Sequence, residues 1–276
     1  MSVIFNNLHT HTQFCDGQDT MEEMVQAAVA ANMRVLGFSP HGPAEYDEVA
    51  MCADAVSSYL SEITRLRWLY SKKITILAGM ERDALAPADT HGLDYIIGAV
   101  HYLKDGRGGI YCIDHTQDKL AEAIACFGDA RTLAAAYADT YAAMLTTFHP
   151  LIAGHLDIIT KLNSGNCFFN TDSLWYRQVE AALVKAVQES GAIVEVNTAG
   201  MCRPGGQPYP GKTLLRNLYE NGVPVTLSSD AHCARDIARF FPRAVDLLRD
   251  IGFSSVKVFG PEGFYDQPLE LCDRVQ

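Results

Sequence analysis

Short, nearly continuous apolar runs alternate along this chain with longer segments whose apolar residues recur every three or four positions. The runs fall at residues 4–9, 35–39, 75–80, 95–100, 151–155, 192–197 and 224–229. Their length and composition predict strands buried on both faces, the pattern of a parallel sheet. Between them, Thr20-Met-Glu-Glu23 reads as a capping box that opens a helix with Met24, Val25, Ala28 and Val29 on one face. Val56, Leu60, Ile63 and Leu66 mark a second helix. Trp175, Val179, Ala182, Leu183 and Ala186 mark another that stops at Gly191, a residue suited to the left-handed turn that ends a helix. Helices over 214–221 and 235–250 stop in the same way at Gly222 and Gly252.

Repeated strand-helix units in this number favour a closed or nearly closed α/β barrel, with a doubly wound sheet as the other solution. No internal repeat, low-complexity tract or linker-like Pro/Gly/Ser run divides the chain, so one domain over residues 1–276 is expected. Gly108-Gly109 and Gly205-Gly206 lack the phosphate-loop pattern and read as turns.

Composition narrows the class. With 276 residues, 48% hydrophobic and 20% charged, the chain can bury a substantial core, which excludes disorder. The longest apolar stretches, such as 95–100 and 192–196, fall far short of the roughly 18 residues a membrane helix needs, and the first residues lack a leader pattern. A soluble, cytoplasmic protein is expected. Eight cysteines, at 15, 52, 112, 126, 167, 202, 233 and 272, form no CxxC pair and read as reduced thiols. The balance of 22 Lys+Arg against 33 Asp+Glu gives a formal charge of -11. Such a field repels nucleic acid and anionic membranes, so neither is an expected partner, and an anionic substrate must meet a concentrated positive charge.

Candidate chemistry appears as a positional regularity, because almost every predicted strand carries a metal-ligating residue at its C-terminal end, where barrel enzymes build their sites. The first ends in His9-Thr-His11; residues two apart on a strand share a face about 6.6 Å apart, close enough for two imidazoles to reach one ion. His41, Glu81, His101, His155 and Asp230-Ala-His232 follow at other strand ends, and Asp16 lies just beyond the first. Any one of these histidines alone would read as a hydrogen-bonded structural residue. Their coincidence is not a packing requirement, since buried polar groups cost free energy unless satisfied.

Arg203 and Lys161 follow the sixth and fifth strands, where they could clamp phosphate oxygens; a solvated loop cation is the alternative for each, with the clamp favoured for Arg203 because its loop sits on the expected active face and neither reading favoured for Lys161. His115, in a long loop after the fourth strand, could protonate a leaving group or recognise an imidazole, although a surface histidine is the preferred reading. Glu195 and Asn197 sit on a strand and are left without a role, and His91 and His149 fit no strand end and read as structural. Cys15, Cys202 and Cys233 read as packed side chains.

HTHTQFCDG, the His41-Gly42 pair, GMERD, GAVHYL, AGHLD and SSDAH, in that order, resemble the motifs of the PHP (polymerase and histidinol phosphatase) family over essentially the whole chain. Within that family, the Cys-Asp-Gly after the HxH pair, AGHLDIITKLN, and EVNTAG followed by RPGGQPYP are most similar to the histidinol-phosphate phosphatases of histidine biosynthesis. The resemblance implies a distorted (β/α)7 TIM-like barrel with a trinuclear site at the C-terminal ends of its strands, filled by divalent zinc, manganese or iron. It implies one ion held by His9, His11, Glu81 and Asp230, a second by the bridging Glu81 with His101 and His155, and a third by Asp16, His41 and His232. Many relatives carry histidine where Asp16 stands, while the histidinol-phosphatase branch uses aspartate.

Three divalent cations would outweigh Asp16, Glu81 and Asp230 and so turn the pocket floor positive inside an acidic protein. A small phosphate monoester could then bridge the ions while water activated by them attacks phosphorus in line. Glu81, Asp230 and His232 are the residues expected to carry catalysis. Three alternatives stay open. An amidohydrolase also begins with HxH, but typically carries a lone aspartate on an eighth strand, with no counterpart to His232 or Asp16. A nuclease or protein-tyrosine phosphatase of the same family would share every ligand. An inactive metal-binding protein would keep the ligands and lose the chemistry.

Overall fold

The structure, a computed structural model, describes residues 6–87 and 90–270. The chain alternates strand and helix through β1 (Asn6–Asn7), α1 (Met21–Ala30), β2 (Val35–Phe38), α2 (Val56–Leu69), β3 (Thr75–Asp83) and β4 (Tyr95–Ala99). A hairpin of β5 (Tyr102–Lys104) and β6 (Ile110–Cys112) follows, then α3 (Gln117–Phe127) and α4 (Ala130–Phe148). Strand-helix units resume with β7 (Ile152–Ala153), α5 (Leu174–Ser190), β8 (Ile193–Asn197), α6 (Lys212–Glu220), β9 (Val225–Ser228) and α7 (Phe241–Ile251), and a second hairpin, β10 (Ser255–Gly260) with β11 (Gly263–Pro268), comes last.

Seven strands pair in parallel in the order β1-β2-β3-β4-β7-β8-β9. The ends of this sheet meet: Thr10 bridges Ala231 in parallel, and the His11 N–H donates to the Ala231 carbonyl at 2.9 Å. That contact makes the sheet a nearly closed barrel and removes the doubly wound alternative. All seven apolar runs are strands, although Ile4 and Phe5 of the first lie outside the described residues and only Ile152 and Ala153 of the fifth are paired.

Period-two alternation sorts the strand residues. On β3, Ile76, Ala78 and Met80 join the core between barrel and helices, whereas Leu77 and Glu81 belong to the interior. Leu8, Val35, Leu77, Tyr95, Ile97 and Ile152 fill the interior toward the start of the strands, and Phe259 and Phe264 of the β10–β11 hairpin pack against them. Gly37 and Gly79 make room for the Tyr95 side chain, since a Cβ would lie 2.2 Å from its hydroxyl oxygen at Gly37 and 2.2 Å from its ring at Gly79. The Tyr95 hydroxyl then donates to the Leu8 carbonyl at 2.5 Å.

The helix punctuation works largely as the sequence suggests. Thr20 and Glu23 form the reciprocal capping box, with Thr20 Oγ1 accepting from the Glu23 N–H at 3.2 Å and Glu23 Oε2 accepting from the Thr20 N–H at 2.8 Å. Gly191 ends α5 at φ 71°. Two expectations need correction. The segment after the fourth strand is not one long loop, because Thr116 and Asp129 cap α3 and α4 through the Lys119 and Thr132 N–H groups, and α4 buries Leu133, Tyr137, Tyr141 and Met144. The last helix begins at Phe241 instead of residue 235, since Phe240 is left-handed (φ 61°) and Pro242, without an N–H, is tolerated only in the first turn. The seven described cysteines are free thiols, and no helix among the described residues is long and apolar enough to cross a membrane.

Candidate metal centre

Strand pairing brings every predicted ligand to one mouth of the barrel. His9 and His11 leave β1 with ring centroids 5.2 Å apart. His41 leaves β2 and forms a parallel bridge with Glu81, which lies near the end of β3. His101 follows β4, His155 follows β7, and Asp230 and His232 follow β9. The backbone is left-handed at Asp230 (φ 50°), a conformation that aspartate tolerates better than most residues and that marks a constrained site.

Four overlapping groups place their ligand atoms within 4.8 Å of one another: His9, His11 and Asp230; His9, Glu81 and His155; His41, Glu81 and His101; and His11, Asp16, His41 and His232. Glu81 is common to two of them and divides its oxygens. Oε1 lies 2.6 Å from His155 Nε2 and 3.3 Å from His101 Nε2. Oε2 lies 3.0 Å from His41 Nδ1, 3.3 Å from His9 Nε2 and 3.5 Å from His11 Nε2. At the other side of the mouth, Asp16 Oδ2 is 3.1 Å from His232 Nε2, and Asp16 Oδ1 is 3.5 Å from His11 Nδ1 and 3.8 Å from His41 Nε2.

Two observations test whether these residues fit metal ions. Ligands about 2.1 Å from a shared ion at tetrahedral to right angles stand about 3.0 to 3.4 Å apart, and His11 Nε2 to Asp230 Oδ1 (3.1 Å), His9 Nε2 to Glu81 Oε2 (3.3 Å) and His101 Nε2 to His155 Nε2 (3.2 Å) match that spacing. The Nε2 atoms of His9 and His11 are also buried and make no hydrogen bond. A buried ring nitrogen without a partner is costly whether it bears a proton or a lone pair, and a cation in its place would satisfy both rings. The residues fit divalent metal ions.

Electrostatics agree. Burial pushes the Glu81 and Asp230 carboxyls up, but the surrounding imidazoles, His9 foremost, hold both well below the ordinary carboxylate range. Burial, with His232 and His41 nearby, lowers His11 to about 4, so it is neutral and ready to ligate. Burial alone would lower His232, but its hydrogen bond to Asp16 and the Asp230 charge raise it to about 9. Each raised imidazole marks a proton that a cation would displace.

Two cavities open over this floor and share Ile158, Lys161, Asp230 and His232. One, of about 220 Å³, is walled by Tyr46, Asp47, Tyr102, His115 and Lys119. The other, of about 460 Å³, is walled by Cys202, Arg203, Tyr209 and Arg239. Arg203 and His115 are exposed at these rims, and His115 Nδ1 lies 3.3 Å from Lys119 Nζ. Lys161 is not a solvated cation, since its Nζ donates to Asp114 Oδ2 at 2.8 Å. Against burial, that ammonium holds the Asp114 carboxyl down at about 2.

Sequence reasoning missed the supports behind the ligands. Asp83 Oδ2 accepts from the His101 N–H at 2.8 Å, while the Tyr46 hydroxyl donates to Asp83 Oδ1 at 2.8 Å. Glu195, left without a role, is fully buried behind His9, and Asn197 donates to Asp230 Oδ2 at 3.0 Å. Their signal was a carboxylate and an amide on the interior phase of an otherwise apolar strand. His149 caps α4 in the left-handed conformation, far from this chemistry in role.

A parallel barrel with clustered imidazoles and carboxylates at the C-terminal strand ends defines a class of metal-dependent enzymes. The PHP domain model matches residues 7–199, and the chain belongs to that family. It is 30% identical over 260 residues to a protein of Deinococcus radiodurans described as a probable histidinol-phosphatase, covering 90% of this chain and 94% of that one. It is 25% identical to the histidinol-phosphatase of Bacillus subtilis, over 83% of this chain and 94% of the relative. Its fold matches the crystal structure of a histidinol phosphate phosphatase from Lactococcus lactis, complexed with zinc, L-histidinol and phosphate, with a TM-score of 0.71 and 19% identity, covering 96% of this chain and all of that one.

Proposed function

We propose that the chain is a metal-dependent phosphatase that hydrolyses L-histidinol phosphate to L-histidinol and phosphate. The observation that carries this reading is Glu81, whose two oxygens reach separate sets of imidazoles across the barrel mouth. In this reading His9, His11, Glu81 and Asp230 hold one ion, Glu81 with His101 and His155 a second, and Asp16, His41 and His232 a third. Divalent zinc, manganese or iron, all accepted by histidine-carboxylate sets, supplies Lewis acidity and a nucleophile at neutral pH. The names of the relatives supply the alcohol.

The chain's own side chains complete the site. Arg203 engages phosphate oxygens from the rim, where its planar fork offers two parallel donors. Lys161 contributes an ammonium fixed in place by Asp114, and His115, on the wall of the smaller cavity, reaches the alcohol. The seven-stranded barrel and the pairing of Asp230 with His232 disfavour an amidohydrolase. Phosphate release from histidinol phosphate, nucleotides and phosphotyrosine peptides, after reconstitution with each metal, tests the reading. Histidinol phosphate should give the highest kcat/KM. Preference for a nucleotide or a phosphopeptide would move the chain to a sibling activity, and no release from any ester would leave a metal-binding protein.

A further inference from the structure

Glu195 of β8 lies outside all four ligand groups, yet four nitrogen and oxygen atoms converge on its carboxylate. Its Oε2 accepts from the Ser228 hydroxyl at 2.6 Å and faces His9 Nδ1 at 2.8 Å. Its Oε1 accepts from the His155 N–H at 2.6 Å and from the Asn197 amide at 3.1 Å. The Asn197 amide is itself oriented, because its Oδ1 accepts from the Ala199 N–H at 3.0 Å while its Nδ2 also donates to Asp230 Oδ2. One buried side chain therefore touches, directly or through Asn197, ligands delivered by β1, β7 and β9.

An ionised carboxylate offers only acceptors. Facing Glu195, a neutral, metal-binding His9 must carry its proton on Nδ1, which frees Nε2, turned toward Glu81 Oε2 (3.3 Å) and Asp230 Oδ1 (3.5 Å), for an ion. If Glu195 served only to satisfy the His155 backbone, one oxygen would suffice, but the second is bonded as closely as the first. We propose that Glu195 is a positioning residue that selects the metal-binding tautomer of His9 and sets the placement of His155 and Asp230 around it. This rests on the reading of the mouth as a multinuclear metal centre.

Glu195→Gln separates the possibilities with little change in volume. Its carbonyl oxygen must stay on the immobile His155 N–H, so its NH2 group turns to Ser228 and His9. Serine can rotate to accept. His9 can accept at Nδ1 only by moving its proton to Nε2, the nitrogen that would hold the ion. Zinc affinity of the whole chain by chelator competition, together with the visible spectrum of the cobalt(II)-substituted protein, reads this directly. One ion should bind about 10- to 100-fold more weakly, with its cobalt band altered and the remaining ions held as in wild type. Wild-type affinity and spectrum in the variant would overturn the proposal, as would equal weakening of every ion with a lowered Tm, the mark of a merely structural role. A wild-type chain that binds no more than one ion would bring down the metal-centre reading itself, and this proposal with it. Should Glu195→Gln fail to fold by circular dichroism, Glu195→Asp, which keeps the charge but withdraws it from His9, must show the same single-ion loss, and unchanged affinity there is equally decisive against it.

Discussion

At one end of the barrel, Leu8, Val35, Leu77, Tyr95 and Ile152 fill the interior with apolar side chains, and Phe259 and Phe264 cover them from below. At the other end of the same strands, six histidines and three carboxylates face one another, with ring nitrogens of His9 and His11 left without hydrogen bonds. Burying an unsatisfied polar atom costs about 1–3 kcal/mol, so the mouth destabilises the metal-free fold, while burial of large aliphatic and aromatic side chains at the base stabilises it by about 1.5–3 kcal/mol each. The contrast teaches that one set of strands divides the two tasks along its length, with stability concentrated at the base and chemistry at the mouth.

The largest expected effect tests that division outright. Removing metals with a chelator should abolish phosphate release, yet the far-ultraviolet circular dichroism should stay that of a folded barrel, and elemental analysis of protein purified without chelator should find more than one transition metal ion per chain. Loss of the fold together with the metal would show that the base does not hold the barrel alone.

Within the mouth, Glu81→Gln should lower kcat by about 10³-fold or more, exceeding the 10²–10³ that one electrostatic donor is worth, because it weakens two ligand sets at once. Asp16→Asn touches a single set and should cost less. Equal or reversed losses in folded variants would mean that the ligands are wrongly allocated.

At the base, Leu77→Ala should lower the unfolding free energy by about 2–5 kcal/mol in a denaturant titration, since Leu77 is buried four residues before Glu81 on β3. The kcat of the folded, metal-loaded fraction should be retained. A matching fall in kcat would show that packing at the base reaches the metal centre.

The smallest effect concerns the rim. Arg203→Ala should leave metal content unchanged and lower kcat/KM for histidinol phosphate about 10- to 150-fold, the equivalent of a charge-assisted hydrogen bond of about 1.5–3 kcal/mol. Arg203→Lys should recover only part, because an ammonium lacks the planar fork. Indistinguishable values for the three proteins would return Arg203 to the role of a solvated loop cation.

Much of the mouth was legible because its signals are local. A histidine or carboxylate at the end of an apolar run needs only the run to be recognised, and the capping residues Thr20 and Gly191 act within one helical turn. The region from 102 to 148 was harder. Its alanine-rich helix α4 buries small residues and tyrosines, a pattern weaker than the aliphatic stripes elsewhere, and its hairpin strands are only three residues long. Glu195 was overlooked because its partner His9 stands 186 residues away, beyond any periodicity.

What the sequence by itself determined, then, is the succession of strands and helices, the helix stops, and the kinds of ligand carried at each strand end, all of which follow from interactions within a few residues. The tertiary structure alone decided which ligands meet: that Thr10 and Ala231 close the sheet, that the two oxygens of Glu81 face different histidines, and that Glu195 stands behind His9. Those contacts depend on the stagger and closure of strands far apart in the chain, and a ligand set exists only once packing has brought its members to within a few ångströms.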